Sequence, residues 1–328
     1  MENNNTEKLQ EQINLASDKI IEVKTEVHKK IVGQEELIDS LIIWLLSKGH
    51  ILIEWVPGLA KTLTVDTLSK TLGLGFNRIQ FTPDLLPSDL IGAEIYNPKT
   101  WEFSVKKGPI FNNFILADEI NRAPSKVQSA LLEAMAERQV TIWNDSFKLD
   151  EPFIVLATQN PIEQSGTYRL PEAQLDRFMM KVNVDYADKE HEIEMYKKVT
   201  WDFEDIKINK VLNKKDILAI QKLIKDIFVS DNIFEYIWEI VEATRNNKIE
   251  SVSKYLEYGV SPRAWISLVN AARVVALLDK RTFVIPEDIK KVAKSVLTHR
   301  LVLNYEAIAD WVTGESIIDE ILNNVKVV

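Results

Sequence analysis

The segment from Asn113 to Arg122, NFILADEINR, constrains the fold more than any other part of the chain. Its apolar run, Phe114-Ile115-Leu116-Ala117, reads as a buried strand that carries two adjacent carboxylates, Asp118 and Glu119, to its carboxyl end. In open α/β sheets that edge is where ligands sit. Upstream, a second strand, Ile51-Leu52-Ile53-Glu54, runs into Val56-Pro57-Gly58-Leu59-Ala60-Lys61-Thr62, which reads as a phosphate loop closed by a Lys-Thr pair. The two segments together imply a nucleotide-hydrolysing site on a parallel sheet.

From Ile31 to about Val184, short apolar segments alternate with amphipathic ones, the mark of a parallel α/β unit. Strands are expected at 51–54, 76–81, 113–117, 153–158 and 179–184, and helices at 62–72 and 124–138. Ahead of this unit, Leu9, Ile13, Leu15, Ile20, Ile21 and Val27 recur at roughly helical spacing. Beyond Tyr186 strands nearly vanish, and helices are expected over 190–199, 214–228, 233–246, 262–278 and 286–299. The chain therefore divides into an N-terminal helical segment (1–30), an α/β core (31–186) and a helical domain (187–328), within a length ample for two domains.

Composition narrows the classes. Hydrophobic residues make up 46% and the net charge is −9, so a real core is expected and a nucleic-acid coat is not. Without cysteine there are no disulfides or thiolate metal sites, which fits a reducing compartment. The four histidines are scattered and form no zinc motif. The longest apolar runs fall far short of a membrane span and the polar start shows no signal peptide. A soluble cytoplasmic protein is expected.

A phosphate loop works because backbone N–H groups and a helix N-terminus cradle phosphates while a lysine reaches their outer oxygens. The spacing G-x-x-x-x-G-K-[ST] calls for glycine where this chain has Trp55 and Ala60. Alone, the loop reads equally as an ordinary strand-turn-helix. The Asp118-Glu119 pair shifts that balance: one carboxylate can hold Mg²⁺ through water while the other orients or deprotonates the attacking water. Isolated, the same pair is two surface acids capping a strand. Downstream, a buried strand ends in Thr158-Gln159-Asn160-Pro161, where Asn160 can reach a γ-phosphate or simply start a turn. Arg177, in Leu175-Asp176-Arg177-Phe178, can be offered to a neighbouring subunit's nucleotide or pair with Asp176. Arg263, in Ser261-Pro262-Arg263, opens a helix of the second domain from which it can swing onto the nucleotide.

Taken in order, Gly33-Gln34-Glu35, the Lys61-Thr62 loop, Ala117-Asp118-Glu119-Ile120-Asn121-Arg122, Ala157-Thr158-Gln159-Asn160-Pro161, Leu175-Asp176-Arg177-Phe178 and Ser261-Pro262-Arg263 resemble the motifs of AAA+ ATPases of the MoxR type. The resemblance runs from roughly Ile31 to Leu322 and includes PDLLPSDLIG (83–92), EIYNPKT (94–100), LPEAQLDRF (170–178) and IPEDIKKVA (285–293). It implies an α/β protein with an AAA+ αβα parallel-sheet core and a C-terminal helical lid, assembled as a homo-hexamer and using ATP and Mg²⁺. On this resemblance Val32 and Gly33 lie beside the adenine, and Trp55, Val56, Pro57, Gly58, Leu59, Ala60, Lys61 and Thr62 surround the phosphates. Thr62 and Asp118 serve the metal, while Glu119, Asn160, Arg177 and Arg263 serve catalysis. Ala60 agrees with the family's own version of the loop. Residues 85–111 and 138–151 would hold two inserted hairpins. A protein client and an adaptor carrying a von Willebrand factor A domain are the partners it implies.

Trp55 departs from that pattern, and so do Trp101 and Trp143 at expected hairpin tips and Trp311 just past an expected helix. These are places where the backbone wants φ > 0 or close approach, the province of glycine. The chain has 8 tryptophans and only 10 glycines in 328 residues, less than half the usual glycine frequency of about 7%. The pattern is that of UGA codons meant as glycine and written as tryptophan. Trp55, Trp101, Trp143 and Trp311 are the main cases, with Trp44, Trp201 and Trp265 as further candidates. Trp238 reads as an ordinary core residue. If Trp55 is genuine, nucleotide binding is weak and the chain is an inactive ring scaffold. A nucleic-acid motor is the other alternative to an ATPase that remodels a protein client.

Overall fold

The structure, a computed structural model, describes residues 2–55, 61–99, 101–159, 167–184, 189–191, 193–194, 197, 206–246 and 248–327, without the side chains of 2–6, 55 and 61. Helices α1 (Glu2–His28) and α2 (Glu35–Leu46) lead into β1 (Ile51–Trp55), α3 (Lys61–Leu72), β2 (Phe76–Gln80), the short α4 (Pro87–Ile91) and a hairpin of β3 (Gly92–Asn97) and β4 (Glu102–Lys107). Next come β5 (Phe114–Asp118), α5 (Ser125–Glu137), a hairpin of β6 (Gln139–Ile142) and β7 (Asp145–Lys148), β8 (Ile154–Gln159), α6 (Glu172–Leu175) and β9 (Met180–Val184). The C-terminal region holds α7 (Lys214–Leu223), α8 (Asp231–Ala243), α9 (Glu250–Ser253), β10 (Leu256–Tyr258), α10 (Pro262–Leu278), α11 (Pro286–Leu297), β11 (Val302–Leu303), α12 (Tyr305–Ala309) and α13 (Gly314–Asn324).

Five strands form one parallel sheet in the order β2-β5-β8-β1-β9. Its apolar residues serve two cores because successive side chains of a strand point to opposite faces. Phe114 and Leu116 of β5 face one core with Ile51, Ile53, Ile154 and Leu156, and Ile115 and Ala117 face the other with Leu52, Val155 and Ala157. A strand buried on both faces has no polar alternation, which is why the run before Asp118 is unbroken. Both expected hairpins are present, as β3–β4 and β6–β7.

Helix α1 buries Ile13, Ile20, Val23 and Val27 and packs on α3 of the sheet unit and on α10 and α7 of the helical region. Ser17 donates to the Leu278 carbonyl at 3.0 Å. The N-terminal segment is thus a strut joining both regions. Two expectations need correction. The helix expected over 214–228 stops at Leu223, and after a 3₁₀ turn Ile227 is extended so that Phe228 can bridge to Phe283. Past Tyr186 the described elements are helical apart from the short β10–β11 pair, in line with the expectation. Trp238 is half exposed, with the Lys248 ammonium 4.9 Å from its ring centroid, and is no core residue.

His50 pins the start of β1. Its Nδ1 accepts from the Val155 N–H at 3.1 Å and its Nε2 faces the Met135 carbonyl at 3.1 Å, so the neutral ring is satisfied at both ends. Burial pushes its pKa down from 6.5 to about 4. The unfolded chain takes up the proton near pH 6.5 and the folded one only near 4, so this contribution is complete above 6.5 and lost as pH falls through that window. The loss should reach about 3 kcal/mol. The urea midpoint should fall from pH 6.5 to 4, less steeply in His50→Asn; a midpoint that stays put would show the ring is not held neutral.

Candidate functional site

Three strand ends meet at the carboxyl edge of the sheet. In the register of the ladder Ala117 pairs with Ala157, Ile53 with Thr158 and Glu54 with Gln159, so Asp118, Thr158 and the end of β1 lie level. The Asp118 carboxylate is buried, at 1% exposure, and charged groups there persist only when paired. One oxygen accepts from the Thr158 hydroxyl at 2.6 Å, the other from Arg78 Nη2 at 2.6 Å and Nε at 3.2 Å. Thr158 in turn accepts from the Glu119 N–H at 2.9 Å, tying both acids to one hydroxyl.

Glu119 has a left-handed backbone, φ 57°. Strain of that kind in a non-glycine residue concentrates at functional sites. Here it turns the side chain away from Asp118, toward Gln80 Nε2 at 2.9 Å and Arg122 Nε at 3.1 Å. Two neighbouring acids thus have distinct surroundings: Asp118 sunk and neutralised by Arg78, Glu119 at the rim and partly open to water. That is the division needed between a metal-anchoring carboxylate and one that handles water.

Arg78 and Gln80 contact the two acids from outside any motif, and Thr158 does so from within the Ala157–Pro161 motif, where motif reading gives it no role of its own. Arg78 and Gln80 occupy alternate positions of the strand expected over 76–81, on one face of it, but the sequence gives no sign that this strand lies beside Phe114–Ala117. Of the loop after β1, Val56, Pro57, Gly58, Leu59 and Ala60 lie outside the described residues, as do Asn160 and Trp201. Lys61 and Thr62 open α3 directly behind that loop, Thr62 half-buried, which places a helix N-terminus there.

A cleft of ≈ 930 Å³ opens between the start of α2, the end of β9 and α11, lined by Gly33, Gln34, Asn183, Val184, His191 and Lys294. Val184 is the register partner of Trp55, so the cleft adjoins β1, while Asp118 and Glu119 lie two strands further along. The Gln34 side-chain oxygen is buried with no partner among the described residues, an acceptor suited to an exocyclic amine. Gly33, at φ 64°, packs its bare backbone on the His191 ring, where a Cβ would come within 3.1 Å. Val32 precedes this wall. The cleft, the N-terminus of α3 and Asp118 follow one another along the sheet edge, and the residue types at the three places fit a nucleotide with Mg²⁺.

The two arginines behave differently. Arg177 is exposed and donates to the Leu132 carbonyl at 2.7 Å. Arg263 does pair with Asp176, at 3.3 Å, and Asp176 also accepts from Ser261 at 2.8 Å and from the buried Arg300 at 2.9 Å. The arginine beside Asp176 in sequence is therefore not its partner. Those partners come from α10 and from the turn after α11.

The model of the ATPase family associated with various cellular activities (AAA) matches residues 50–180, and that of the AAA lid domain matches 249–321. The chain is 46% identical to Chaperone MoxR1 of Mycobacterium tuberculosis, over 92% of this chain and 80% of that one. It is 44% identical to the uncharacterized protein YeaC of Bacillus subtilis, over 92% of each. The crystal structure of a candidate ATPase from Cytophaga hutchinsonii, 50% identical, superposes with a TM-score of 0.93 over 100% of this chain and 99% of that one. By fold, motif order and these likenesses, the chain belongs to the MoxR-type AAA+ ATPases.

Proposed function

We propose that this protein hydrolyses ATP and uses the cycle to remodel or mature a protein client, in the manner suggested by the name of its chaperone relative. The observation that carries the reading is the split pair, a buried Asp118 and a rim Glu119, joined through Thr158. Bound Mg²⁺ would neutralise charge on the phosphates and supply ordered water. Asp118 and Thr62 are the residues that would hold that water shell, with Arg78 and Thr158 fixing the Asp118 carboxylate. Glu119 takes a proton from, or orients, the attacking water, with Gln80 and Arg122 fixing its direction. Lys61 balances phosphate charge, and Asn160 is the sensor residue of this scheme.

Arg177 completes the site of a neighbouring copy in a ring, a homo-hexamer by family resemblance; its exposure beside the lid contact supports this role. Arg263 leaves Asp176 for the nucleotide as the lid closes. A von Willebrand factor A domain protein is the adaptor we expect, and a cytoplasmic setting agrees with the finding that no helix of the described residues is long and apolar enough to cross a membrane.

The test is phosphate release by the Trp55→Gly protein and by the same protein carrying Lys61→Ala. We expect steady turnover in the first and a loss of at least about 100-fold in the second, because the lysine neutralises transferred phosphoryl charge. Equal rates would show that the turnover is not this site's.

A further inference from the structure

Eight non-glycine residues of the described chain hold a left-handed backbone, and three of them are tryptophans: Trp101 at φ 60°, Trp143 at φ 55° and Trp311 at φ 57°. A bulky side chain at such angles is a genuine outlier. All three lie open to solvent, 80%, 78% and 91% exposed, so no burial of the indole compensates the conformation.

Each seat is defined by hydrogen bonds around it, not by the side chain. Trp143 is the first of two residues between paired Ile142 and Asp145, the turn position where φ > 0 is demanded and glycine is usual. Trp101 closes the loop between paired Asn97 and Glu102, its N–H donating to the Asn97 carbonyl at 2.9 Å. Trp311 follows α12 with the Val312 N–H on the Ala307 carbonyl at 2.9 Å and its own N–H toward Ile308 at 3.4 Å. That is the Schellman arrangement, whose left-handed residue is most often glycine.

The chain fills other left-handed seats with Lys48, Lys280 and Arg138, so a positive φ alone does not mark a glycine. Those are flexible polar chains that stay hydrated at no hydrophobic loss. Two of the other described tryptophans are packed among aromatic side chains, although the buried Trp44 indole nitrogen has no partner among the described residues. Trp44 is fully buried in α2, edge-on to Phe114 at 5.2 Å, and Trp265 of α10 stacks on Phe234 at 5.3 Å. Trp55 joins the exposed three by sequence position, at the first place of the phosphate loop, where a small residue lets the backbone approach phosphate.

We infer that positions 55, 101, 143 and 311 are glycine in the protein as its own cell makes it, encoded by UGA and decoded there as glycine. The consequence is functional. The native phosphate loop then opens with glycine, which removes the departure that favoured an inactive scaffold and, resting on the proposed function, favours a working ATPase. Loss of nucleotide binding by decay would have altered the loop alone, whereas two hairpin tips and a helix end carry the same change.

Peptide mass spectra of the protein isolated from its source cells decide the matter, and their outcome does not depend on whether the protein hydrolyses ATP. The expected result is peptides spanning 55, 101, 143 and 311 that carry glycine, lighter by the indole-bearing substituent at each site, with UGA at all four codons. Tryptophan in any of those four peptides, or UGG at any of their codons, overturns the inference.

Discussion

In a protein carrying Trp55→Gly, Glu119→Gln will keep its nucleotide and lose hydrolysis by roughly 10²–10⁴-fold, the usual worth of a positioned general base. The substitution keeps the side chain's length and an oxygen that can accept from Gln80 and Arg122, so the rim of the site stays in place. It removes only basicity. Asp118→Asn is the instructive contrast. Asp118 is the buried charge of the pair, bonded to the half-exposed Arg78 and to Thr158, so its change removes the carboxylate proposed to hold the metal and should weaken binding as well as rate. If Glu119→Gln hydrolyses as fast as its parent, Glu119 is a capping acid and water activation lies elsewhere. If it loses binding in step with rate, Glu119 holds the nucleotide, and the division between the two carboxylates argued above fails.

The part of this site that could be read from sequence was the part written consecutively. A strand that ends in Asp118-Glu119 is visible because burial on both faces forbids polar residues until the edge is reached. The order of motifs along the chain then supplied the fold. What could not be read were partners joined across the sheet or across the interface. Arg78 meets Asp118 because β2 pairs with β5, and Thr158 bridges both acids because β8 lies on the other side. Local sequence says nothing about which strand is whose neighbour. Arg300 looks like the solvated end of a helix and is buried, bonded to the carbonyls of Phe178 and Met179. Trp238 failed in the opposite sense, since an apolar stretch of helix does not reveal which side faces the core. The tryptophan pattern was legible because turn geometry is local: a two-residue hairpin or a helix end needs its left-handed residue wherever it lies.

Asp176→Ala will destabilise the fold by about 3 kcal/mol, near the low end for breaking a buried pair. The residue gathers the lid onto the core through Ser261, Arg263 and Arg300. Of these the Arg300 bond matters most. That guanidinium is 2% exposed, whereas Arg263 is 58% exposed and its bond is worth little in solvent. Without Asp176 the Arg300 charge stays buried, held among the described residues by neutral acceptors, Ser267 and the carbonyls of Phe178, Met179 and Val296. Arg263→Ala should therefore leave the melting temperature nearly unchanged, and Asp176→Ala should lower it by several degrees. Adding Arg300→Met to Asp176→Ala should recover part of the loss, because an apolar replacement for both partners leaves no buried charge. The pair also separates stability from function. Arg263→Ala tests only the arginine proposed to move to the nucleotide, so a fall in turnover at unchanged melting temperature supports that movement. Unchanged turnover would leave Arg263 as a surface partner of Asp176 and nothing more. If Asp176→Ala melts with its parent, the three bonds do not hold the lid. The lid would then exert no pull on the residue next to Arg177, and closing it could not position that arginine for a neighbouring site.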